Sequence, residues 1–185
     1  MALFMPLVCS ETWRKIFPLR WLAAITAFSL LSLMPSKAGA ESRWSQGVFP
    51  IVQFQGYTSH FGPRAGFSGA GELHTGLDIA APLGSPVLSW WSGEVVEMIN
   101  DRACGLGLVM ASGDYAHIYC HLQKRFVALG QRVLGGQRLG SVGVTGRTSG
   151  PHLHWGIRYR GQWLNPDDIL RAMVKHKKTA RSFGP

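Results

Sequence analysis

Five side chains suited to chemistry fall into a simple pattern. His74 and Asp78 are four apart in His-Thr-Gly-Leu-Asp-Ile-Ala-Ala-Pro, His152 and His154 are two apart in Gly-Pro-His-Leu-His-Trp, and His121 lies between them in Tyr-Cys-His-Leu. On an extended chain, residues two or four apart face the same side, so His152 and His154 present adjacent imidazoles, about 6.6 Å apart at Cα. His74 and Asp78 do likewise if their segment is extended. Two imidazoles and one carboxylate are a ligand set for Zn²⁺, with the fourth tetrahedral position left to water. A site of that open form lowers the pKa of the bound water towards about 7. A single histidine is more often a hydrogen-bonded structural residue, and pairs at strand spacing also arise by chance. The flanking segments therefore carry the weight of the reading.

The elements that must position these residues are strands. The chain has 185 residues, 46% of them apolar, with 23 glycines and a net charge of +9. Ordinary apolar content excludes a disordered polyelectrolyte, and the glycines and missing heptads exclude a coiled coil. Short apolar runs recur at 48–54, 77–81, 87–91, 94–99, 106–110, 115–122, 133–134, 139–144 and 153–159, separated by glycine and proline turns. Such spacing predicts an all-β domain, an antiparallel sandwich or open barrel. One short C-terminal helix is expected: Asn165 caps it, Pro166 suits its first turn, and Asp167 and Asp168 favour its positive end. It should cover 169–174, leaving 175–185 as a basic, disordered tail.

The first forty residues read as an address. Arg14, Lys15 and Arg20 precede an apolar run at 21–34, followed by the small-residue stretch Ala38-Gly39-Ala40. The run is shorter than the ~20 residues a membrane helix needs, so residues 1–40 read as a cleaved secretory signal peptide, with an uncleaved anchor as the alternative. The domain is then 41–174. Residues 41–185 carry 15 Lys+Arg and 9 Asp+Glu, a net +6. An exported cationic chain meets anionic envelope polymers or lipid headgroups rather than nucleic acid, for which no aromatic-interleaved basic motif is present. The expected location is periplasm or cell envelope, with no stable membrane span after cleavage. Cys104 and Cys120 remain in an oxidising compartment. If 106–110 and 115–122 pair around a three-residue turn at Ala111-Ser112-Gly113, Met110 faces Asp114 and Cys104 faces Cys120. A cross-strand disulfide and two buried thiols are both consistent with that register.

At this point the chain resembles a known family. His-Thr-Gly-Leu-Asp-Ile-Ala-Ala-Pro, Tyr-Cys-His-Leu and Thr-Gly-Arg-Thr-Ser-Gly-Pro-His-Leu-His are similar to the motifs of lysostaphin-type, or LytM-domain, zinc metalloendopeptidases. Ser59-His60-Phe61-Gly62-Pro63-Arg64 resembles that family's segment ahead of the first ligand, and Leu164-Asn165-Pro166 its end. The likeness covers about 48–168. It implies an antiparallel β-fold with a groove over one Zn²⁺ per chain, held by His74, Asp78 and His154. His121 and His152 would be the catalytic pair, His152 taking the proton of water and His121 donating to the developing oxyanion. The implied substrate is peptidoglycan, cut at a peptide bond of stem or cross-link.

Departures and rivals accompany this reading. Cys120 stands where the family has a small residue. His117, four before His121, would share its strand face and is a weaker candidate, as are His60 and His176. Little chain precedes Val48, so no self-blocking prodomain is expected. A non-catalytic LytM domain that docks to a cell-wall amidase or divisome partner is the alternative function, although such relatives lose one or more of the five residues and this chain keeps all five. A biotin- or lipoyl-carrier module is disfavoured because no lysine follows at a hairpin tip, and His-Glu-x-x-His is absent.

Overall fold

The computed structural model describes residues 47–65 and 71–182; the signal peptide expected over 1–40 lies outside them. Glycine and proline punctuate the described chain into thirteen strands and one helix. The strands are β1 (Gly56–Ser59), β2 (Gly62–Ala65), β3 (Gly71–His74), β4 (Gly76–Ala80), β5 (Pro86–Leu88), β6 (Gly93–Asp101), β7 (Gly105–Ser112), β8 (Tyr115–Cys120), β9 (Leu122–Arg125), β10 (Arg132–Val133), β11 (Arg138–Val142), β12 (His152–Tyr159) and β13 (Gln162–Leu164); the helix is α1 (Pro166–Ser182). The main sheet runs β1-β4-β12-β8-β7-β6-β10, with β13 attached to β12; β5-β11-β9 form a second sheet and β2-β3 a hairpin. The pairings are antiparallel.

Strict alternation builds the two faces of the central strands. Leu77 and Ile79 of β4, and Leu153, Trp155 and Ile157 of β12, are fully buried in one core. Asp78, His152 and His154 fall between them and therefore point to the opposite face. Burying each large apolar side chain is worth about 1.5–3 kcal/mol, so slipping either strand by one residue would expose the core row and is strongly disfavoured. Trp90 packs on Trp155 at 4.8 Å between ring centroids, and the Trp90 backbone N–H donates to the Tyr119 hydroxyl.

The C-terminal helix starts as expected: the Asn165 side chain accepts the Asp167 N–H at 3.0 Å, and Pro166 opens the first turn. It does not stop at 174. The helix continues to Ser182, so the basic stretch expected to be disordered is helical over 175–182. Its buried side is carried by Ile169, Leu170 and Met173, while the basic residues that made the stretch read as a solvated tail are themselves good helix formers.

Two further expectations need correction. Segment 48–54 forms no strand, only the isolated bridge Ile51↔Val87. The β7–β8 hairpin has a two-residue loop, Gly113-Asp114, because Gly113 adopts φ +62° at the first turn position. Met110 consequently pairs with His117, not Asp114. Cys104 nevertheless bonds to Cys120, with Cα atoms 4.8 Å apart. It does so from the turn between β6 and β7, where its sulfur fills the space above Gly107; a Cβ there would lie 2.3 Å from that sulfur.

Candidate active site

One row of residues across the sheet assembles the centre. Ser59 of β1 pairs with Asp78 of β4, Asp78 with His154 of β12, and His154 with Cys120 at the end of β8. His74 enters from the end of β3, separated from β4 by Thr75 alone. The His74 Nε2, Asp78 Oδ1 and His154 Nδ1 atoms converge, with separations of 3.1 Å, 2.8 Å and 3.0 Å. Ligand atoms about 2.0–2.1 Å from a tetrahedral Zn²⁺ sit about 3.3 Å from one another. The three side chains therefore fit a single small cation, and they are the residues expected from the sequence.

Surrounding groups fix these three side chains. The His74 Nδ1–H donates to the His60 carbonyl at 2.7 Å, which leaves the Nε2 lone pair for a metal. Asp78 turns Oδ1 to the histidines and Oδ2 to the Arg64 guanidinium at 3.3 Å. Burial pushes the Asp78 carboxyl up, but hydrogen bonds with His154 and His74 overcome this and hold it well below the usual carboxylate range. Burial lowers the His154 pKa against the pull of Asp78, which favours the neutral, metal-binding imidazole.

His121 and His152 stand beside this tripod, their rings 4.7 Å apart. The His121 Nδ1–H donates to the Thr145 carbonyl at 2.9 Å, and the His152 Nδ1–H to the Gly150 carbonyl at 2.8 Å, with the Thr148 hydroxyl 3.1 Å away. A carbonyl can only accept, so each neutral ring keeps its proton on Nδ1 and leaves Nε2 as a proton acceptor. Burial pushes the His121 pKa down to about 4, the neighbouring His152 and His154 adding to the effect. His121 also has φ +62°, a left-handed conformation that costs a non-glycine residue about 1–2 kcal/mol. The kink ends β8 and turns the ring to the groove, whereas a continuous strand over 115–122 was expected.

The open face is a groove of about 250 Å³ lined by Thr58, Ser59, Arg64, Asp78, His121, Arg147, Thr148, Ser149, His152 and His154. His74 lies at its base, 3% exposed. His117 is no part of it. That ring is buried against Trp91 and Tyr115, with neither nitrogen hydrogen-bonded. The kink at His121 is why the two histidines do not share a face. His60 contributes its carbonyl to His74 and its ring to Asp167 at 2.9 Å; the side chain of His176 lies outside the described residues. Arg64, Thr145 and Thr148 received no role from the sequence, although Arg64 and the Thr-Gly-Arg-Thr run lay inside motifs already singled out.

Comparison with known proteins agrees with this geometry. The model described as Peptidase family M23 matches residues 72–166, which include all five site residues. The chain belongs to this family. Over 123 residues it is 38% identical to the peptidoglycan DD-endopeptidase ShyC of Vibrio cholerae, covering 64% of this chain and 28% of that one. Over 100 residues it is 41% identical to the DD-carboxypeptidase/endopeptidase Mpg of Neisseria meningitidis, covering 52% and 23%. The chain thus spans under a third of either relative. Among solved structures, a zinc-containing peptidase from Vibrio cholerae superposes with a TM-score of 0.60 at 34% identity, covering 68% of this chain and 38% of that chain. The catalytic domain of lysostaphin from Staphylococcus simulans gives 0.58 at 28%, covering 64% and 92%. The M23 fold is therefore the lysostaphin-type antiparallel β-fold expected from the motifs.

Proposed function

We propose that this M23 peptidase is an exported, zinc-dependent endopeptidase that hydrolyses peptide bonds in the stems or cross-links of peptidoglycan. The observation that carries the reading is the convergence of His74, Asp78 and His154 on one point, with two proton-accepting imidazoles over the same groove. The relative named as a peptidoglycan DD-endopeptidase supports the substrate, and the leader-like sequence of residues 1–40 supports export. A Zn²⁺ held by the three side chains would supply a Lewis acid for the scissile carbonyl and a nucleophilic water near neutral pH.

The chain's own residues do the rest. In their neutral forms both His121 and His152 offer Nε2 lone pairs, so either can take the proton of water. The donor role assigned to His121 by resemblance requires its imidazolium, and burial keeps that ring neutral at neutral pH. Two rings 4.7 Å apart do not both hold a positive charge readily. The pair therefore works with one proton: the ring that receives it becomes the donor to the oxyanion and then to the leaving amine. Asp78 stays ionised throughout, held so by its hydrogen bonds with His154 and His74.

The test is to incubate the purified protein with peptidoglycan and identify the muropeptides by mass spectrometry, with metal content measured on the same sample. About one zinc per chain and loss of a peptide bond, with new amino and carboxyl termini, are expected. Unchanged muropeptides from zinc-loaded protein would leave the non-catalytic docking module.

A further inference from the structure

The geometry points to the disulfide-closed turn between β6 and β7 as the element that positions His121 for proton transfer. The inference rests on the catalytic reading of His121 given above. Cys120 immediately precedes His121, and its disulfide partner Cys104 accepts the His121 backbone N–H on its own carbonyl at 2.8 Å. The turn is itself stiff: the Asp101 carboxylate accepts the N–H groups of Ala103 and Cys104 at 2.8 Å and 2.7 Å.

The turn also grips the loop that holds the ring. Gly146 lies so close that a Cβ there would meet the Gly105 nitrogen at 2.3 Å and the Cys104 carbonyl carbon at 2.6 Å. The Arg147 N–H donates to the Ala103 carbonyl, and the Leu106 N–H to the Thr145 hydroxyl. That hydroxyl donates onward to the Leu122 carbonyl, while the Thr145 carbonyl accepts the hydrogen bond from the His121 Nδ1–H. His121 is thus held in its left-handed conformation from both sides, by its backbone on Cys104 and by its ring on Thr145. Such a conformation persists only where its surroundings over-determine it. The sulfur bond is the covalent link in that support. Two side chains of the tripod are held outside the turn, His74 by donating to the His60 carbonyl and Asp78 by accepting from Arg64.

The test compares the zinc-loaded protein oxidised, treated with a water-soluble trialkylphosphine, and as the Cys104→Ala/Cys120→Ala double variant. The phosphine takes oxygen from one water, and the two hydrogens of that water go to the two thiols. On loss of the bond, kcat should fall about tenfold or more, while KM stays within about twofold and zinc content is unchanged. Reoxidation of the wild-type protein should restore kcat. Nitrogen–proton NMR supplies a readout independent of turnover: the His121 Nδ1 proton should exchange slowly when the disulfide is intact and be lost to fast exchange when it is not. An unchanged kcat with a persistent Nδ1 signal would overturn the inference. A loss of zinc in parallel with kcat would do so as well, because the turn would then be supporting the ligands. If the oxidised protein cleaves nothing, the functional reading fails, and the Nδ1 signal alone still decides whether the turn positions the ring.

Discussion

The two oxygens of Asp78 face different partners, the histidine nitrogens on one side and Arg64 on the other, which also contacts Ser59 and Glu72. In the proposed site this division separates holding a cation from orienting the holder. Asp78→Ala should abolish stoichiometric zinc binding, read by metal analysis after gel filtration. Arg64→Ala leaves all three ligands in place but frees the carboxylate to rotate, so zinc affinity should weaken by about 10–100-fold in a chelator competition. His152→Ala should retain zinc and lose about 10²–10⁴-fold in turnover, the size of a general acid–base contribution. Full activity in that variant would remove His152 from the proton path. These side chains were legible in the sequence because their types and spacing are themselves the chemical signal. The carbonyls of His60, Thr145 and Cys104 were not, since a backbone oxygen carries no residue identity and its aim depends on distant chain.

At the scale of elements, alternation was the readable feature and backbone geometry the hidden one. β4 and β12 could be found from Leu77-Asp78-Ile79 and Leu153-His154-Trp155, where core and groove residues interleave. β1 and β2 could not, because Gly-Tyr-Thr-Ser and Gly-Pro-Arg-Ala lack an apolar row that would mark them as strands. The run over 115–122 looked continuous since nothing in Tyr-Cys-His-Leu announces a left-handed residue other than glycine. The sequence left a disulfide and two buried thiols both open, from a register that is three residues out; the bond forms because a turn brings Cys104 back over Gly107. The helix cap was read correctly and gives a local prediction. Asn165→Ala removes the acceptor of the Asp167 N–H and should cost about 1 kcal/mol, seen as a Tm lower by a few degrees. Zinc content should not change, for the cap touches no ligand.

Across the whole molecule, the acid sensitivity of the fold follows from two buried histidines, His117 and His121. Burial lowers the His117 pKa to about 4, and its two ring nitrogens lack hydrogen-bond partners. The sign follows from proton binding. Between the unfolded value near 6.5 and the folded value of about 4, only the unfolded chain takes the proton, so stability present above pH 6.5 is lost as pH falls through that window. His121 acts in the same direction over the same range. Asp78 does not, because its carboxyl is held below its ordinary value of 3.8 and its loss begins only in stronger acid. His117→Met replaces the ring by a flexible apolar side chain of similar size and relieves two unsatisfied nitrogens, which should stabilise the fold by about 1 kcal/mol at pH 7.5. Urea unfolding at a series of pH values, on both proteins at equal zinc content, should show that advantage growing by about 3 kcal/mol on descending to pH 4. Parallel curves would mean that His117 is protonated to the same extent in both states, and that the acid sensitivity of the fold belongs to the groove alone.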